Sequence, residues 1–90
     1  MTTTLTIAKD LNSEMEHLIS IEKEISESMV IIKNIMKTMN NSKAPYDSVA
    51  YVSLDNTDDK LFIARTKVLD SIIKVAKKIN ENTENILRGN

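Results

Sequence analysis

Between Leu11 and Met39 the apolar residues recur at alternating gaps of four and three: Leu11, Met15, Leu18, Ile25, Met29, Ile32, Met36 and Met39, with Glu22 at the one place in the series that is not apolar. At 3.6 residues per turn this spacing draws one seam along about eight turns of helix, whereas a strand would scatter the same residues over both faces. A second seam, Leu61, Val68, Ile72, Val75, Ile79 and Ile86, runs along the last third of the chain and is interrupted at Arg65 and Asn82. A stripe on one helix has to be buried against another element. The expected fold is therefore all-α, an antiparallel hairpin of two long helices.

The boundaries follow from punctuation. A single Gly and a single Pro in 90 residues leave little material for turns or sheets. Residues 1–6, rich in Thr and uncharged, read as a flexible tail, and residues 7–89 as one helical-hairpin domain. Helix one spans about 7–40, the connection 41–56 and helix two about 57–88. Ser13 followed by Glu16 has the spacing of a capping box, although Ile7, Ala8 and Leu11 carry the apolar pattern upstream of it. Asn40 or Asn41 ends the first helix, since Asn tolerates the left-handed conformation and Pro45 follows. The second helix is expected after Asn56 or Thr57, with Asp58 and Asp59 in its first turn facing the positive end of the helix dipole. Arg88 and Gly89 supply its end signal. The connection is ambiguous: Tyr46, Val49, Ala50, Ser53 and Leu54 fit a short helix after Pro45, while Val49, Tyr51 and Val52 suit an extended segment.

Charge selects the antiparallel sense. Asp10, Glu14, Glu16, Glu22, Glu24 and Glu27 make the early part of helix one acidic, and Lys33, Lys37 and Lys43 make its end basic. Helix two runs from Asp55, Asp58 and Asp59 to Lys74, Lys77 and Lys78. Folding back sets acid beside base at both ends, each exposed pair contributing ~0–1 kcal/mol.

The seams are wider than one partner helix needs. Ile7, Ile21 and Ile35 flank the first on one side and Ile19 on the other, while Phe62, Leu69 and Ala76 widen the second. Such faces resemble those of bundles more than the narrow seam of a two-stranded coiled coil. Met29, Val30, Ile31 and Ile32 are four successive apolar residues, which on a helix point around nearly the whole circumference, and Ile35 and Met36 extend the zone. Burying a side chain of this size contributes about 1.5–3 kcal/mol, so a lone hairpin forfeits much of that at Val30 and Ile31. Ile63 and Ile73 raise the same problem on helix two. The expected remedy is assembly into a four-helix or larger bundle, or docking of a helical client protein. The surface involved comprises Met29, Val30, Ile31, Ile35, Met36, Met39, Phe62, Ile63, Leu69 and Ile73. A monomeric three-helix bundle, with Tyr46, Val49 and Leu54 covering Val30 and Ile31, is the alternative.

Little in the chain points to catalysis, and no catalytic, cofactor-binding or metal-binding residues are assigned. His17 is the one histidine, and Glu14-x-x-His17 has the spacing of a helix-borne metal motif, but such sites need several converging ligands. A solvated surface histidine is the simpler reading. Nucleophilic catalysis would have to use that same imidazole, on a helix with no loop to shape a pocket. A phosphate-binding loop needs glycines, and the one present is penultimate. Without Cys there is neither a disulfide framework nor a thiolate site. Met15, Met29, Met36 and Met39 suit an adaptable groove but also serve as core filler. Lys60, Lys67 and Lys74 repeat at seven residues with Lys78 close by, yet Asp70 and Glu81 interrupt the line, few aromatics are available to stack on bases, and the net charge is −1. A solvated face is the plainer account, and nucleic acid is not the expected partner. Glu22, Arg65 and Asn82, placed inside the seams, are candidates for setting register in an assembly, with no direct Glu22–Arg65 pair expected within one hairpin.

The expected function is that of a non-catalytic interaction or oligomerisation module. Its length and two-helix layout resemble those of the small helical substrates and partners of type VII secretion, although no Trp-X-Gly lies between the helices here; the resemblance implies an accessory or substrate-like role. A small phage or mobile-element regulator that binds a host protein, or less readily DNA, is the other version. The N-terminus has neither the basic start nor the apolar run of a signal peptide, and no stretch reaches the ~18–20 apolar residues of a membrane span. Cytoplasmic residence, with signal-less export as an option, is the expectation.

Overall fold

A computed structural model describes residues 4–41 and 48–89. Two long helices pack against each other as a helical hairpin: α1 spans Thr4–Asn41 and α2 spans Val49–Leu87. The chain divides into two compact units, a terminal one of residues 1–22 with 68–90 and a central one of residues 23–67.

Both seams lie inward. In the central unit Met29 is buried, at 6% exposed, and Ile25, Ile32, Met36 and Met39 of α1 are half-buried, as are Tyr51, Leu54, Leu61 and Ala64 of α2. In the terminal unit Val75 is buried, at 3% exposed, with Ala8, Leu11, Met15, Leu18 and Ile21 of α1 and Val68, Ile72 and Ile79 of α2 half-buried. The polar residues that break the apolar series lie within the seams. Glu22 and Arg65 are half-buried, and Asn82 is buried. Asp58 holds a seam place as well, between Leu54 and Leu61 at gaps of four and three. Ile86 departs from the seam and is exposed in the last turn of α2.

The start of α2 corrects the expected connection. The helix begins at Val49, not near residue 57, so residues 49–56 belong to it and no separate short helix or extended segment exists among them. Ser48 is the reason. Its side-chain oxygen accepts from the Tyr51 backbone N–H at 3.1 Å, and its carbonyl accepts from the Val52 N–H at 3.1 Å, which satisfies donors that a helix start otherwise leaves open. Asn56, Thr57, Asp58 and Asp59 are therefore interior residues, and neither helix carries an acidic residue in its first turn. The Thr57 hydroxyl caps nothing; it donates to the Ser53 carbonyl one turn back, at 2.8 Å. Pro45 and Tyr46 lie outside the described residues. Ser48→Ala should cost about 1 kcal/mol, and Ser48→Gly only a few tenths, in urea unfolding followed by circular dichroism. Equal stability of Ser48→Ala and wild type would remove the cap from this account.

The other ends are simpler. α1 begins at Thr4, inside the segment expected as a tail, so Ser13 and Glu16 are exposed interior residues and no capping box forms there. It is described as far as Asn41, and the residues that follow lie outside the described ones. At the end of α2 the Arg88 N–H still reaches the Glu84 carbonyl at 3.0 Å, and Gly89, at φ 77°, turns its N–H onto the Ile86 carbonyl at 3.1 Å. That bond, with a left-handed residue just past the helix, is half of a Schellman closure, and glycine takes the conformation without a Cβ penalty.

Candidate interaction surface

The outward side of α1 in the central unit is formed by two adjacent rows of side chains at four-residue spacing, Ser26, Val30, Asn34 and Thr38 beside Glu27, Ile31, Ile35 and Met39. Two shallow, open depressions follow these rows, one lined by Ser26, Glu27, Val30 and Ile31 and the other by Ile31, Asn34, Ile35, Thr38 and Met39. Ile31 borders both.

This side is apolar where it matters for docking. Val30 is 57% and Ile31 59% exposed, and Ile35 is exposed as well. The hydroxyls at its margins turn back on their own helix: Ser28 Oγ donates to the Glu24 carbonyl at 2.9 Å and Thr38 Oγ1 to the Asn34 carbonyl at 3.0 Å. Their polarity is thus partly satisfied without water, which lowers the cost of covering them.

The ten residues singled out from the sequence fall into three groups. Val30, Ile31, Ile35, Phe62 and Ile63 are exposed in the central unit, and Leu69 and Ile73 are exposed in the terminal unit. Met29 is buried and Met36 half-buried, so they support the surface from beneath more than they form it, while half-buried Met39 lines the second depression at its edge. Of the residues the three-helix alternative relied on, Tyr46 lies outside the described residues, and the other two form no separate third helix. Val49, at 83% exposed, and half-buried Leu54 are both part of α2, while Val30 and Ile31 stay open. Val52, in the first turn of α2, is a further exposed apolar residue; it was not singled out because residues 49–56 read as a connection.

The remaining candidates are surface features. Glu14 and His17 are exposed on α1, and among the described residues no three His, Asp or Glu side chains converge on a metal-sized site. Lys60, Lys67, Lys74 and Lys78 are all exposed. Lys74 is engaged by Asp70 at 3.0 Å, and Arg88 lies 4.0 Å from Glu84. Both are i,i+4 pairs with the acid toward the N-terminus, the favourable order, and each contributes about 0.2–0.5 kcal/mol. No helix among the described residues is long and apolar enough to cross a membrane.

The architecture defines an all-α helical hairpin with an open apolar surface on α1. No protein-family model, curated protein or solved structure matches the chain.

Proposed function

We propose that this chain is a non-catalytic interaction module, an antiparallel helical hairpin that associates with itself or with a helical partner protein through the surface around Val30, Ile31 and Ile35. The observation that carries the reading is the exposure of Val30 and Ile31 at the middle of α1, with no described segment over them. Recovering roughly half of a full burial at each such side chain is worth about 1 kcal/mol, so a partner covering three or four of them gains several. The grouping of residues 1–22 with 68–90, and of 23–67 together, supports the antiparallel sense. A four-helix or larger bundle is the form of assembly that such broad faces suit.

Ile31→Glu tests it. The substitution is on the surface, so helicity by circular dichroism should match wild type, while the mass of the assembly or its complex should fall in light scattering. An unchanged mass, for the chain alone and for any complex that co-purifies with it, would count against the surface.

A further inference from the structure

We draw no further inference here: the strongest candidate, the exposed apolar side of α1 around Val30 and Ile31, is the surface already described, and nothing in the structure shows what covers it.

Discussion

Replacing Asp58 with leucine is expected to raise the unfolding free energy by about 1–3 kcal/mol. Asp58 occupies a seam place that the apolar pattern on either side would fill with a hydrocarbon, and its Oδ1 is shielded from solvent without a hydrogen-bond partner. A buried acceptor in that state has lost its water and gained nothing in return. Leucine removes the unsatisfied oxygen and makes the apolar seam continuous from Leu54 to Leu61. Asn40 Oδ1, also shielded and unpartnered, is the only comparable atom among the described residues. Asn82 is different, because it is not without a partner; the same replacement there has less to recover. Urea unfolding of Asp58→Leu and Asn82→Leu beside wild type checks both the gain and the order. A destabilised Asp58→Leu would mean that the carboxylate makes a favourable contact after all.

The reverse experiment belongs in the terminal unit. Val75→Asp should cost 3 kcal/mol or more, a loss on the order of the whole stability of so small a domain, because it places an ionised group at the most shielded apolar site among the described residues. Val75→Ala, which only deletes methyl groups, should cost about 1–2 kcal/mol. The graded pair separates polarity from volume. Circular dichroism and urea titration of the two variants are sufficient, and a Val75→Asp chain as stable as Val75→Ala would show that water already reaches the site.

Much of the fold was legible because a helix seam is a matter of period, and period survives substitutions at single places. Nearly every apolar residue assigned to the two seams is buried or half-buried. Glu22, Arg65 and Asn82 break the apolar series yet hold seam places, and a seam place is inward whatever fills it. The start of α2 was illegible for a different reason. Asn56, Thr57, Asp58 and Asp59 have the chemistry of a helix start, while Ser48 is followed by Tyr51 and lacks the acidic partner of a capping box. What settles the boundary is one side-chain hydrogen bond, which no local pattern announces. On the candidate surface, four consecutive apolar residues sufficed to single out Val30 and Ile31, because no single neighbour covers a full circumference. The methionines were ranked with them by proximity in sequence; the angle of Met29 and Met36 on the helix turns them inward, and Met39 sits at the edge of the surface.

Met29 and Val75 are the buried hydrocarbons among the described residues and neither is completely enclosed, and this sparse interior has a calorimetric consequence. Unfolding exposes comparatively little apolar surface to water, so its heat-capacity increment should fall below the ~12–15 cal/mol/K per residue of ordinary domains. The isolated chain then has a flat stability curve, weak at every temperature yet slow to change between them. The missing increment is recovered when the open hydrocarbon is covered, so formation of a complex carries a negative heat-capacity change that isothermal calorimetry at several temperatures reads directly.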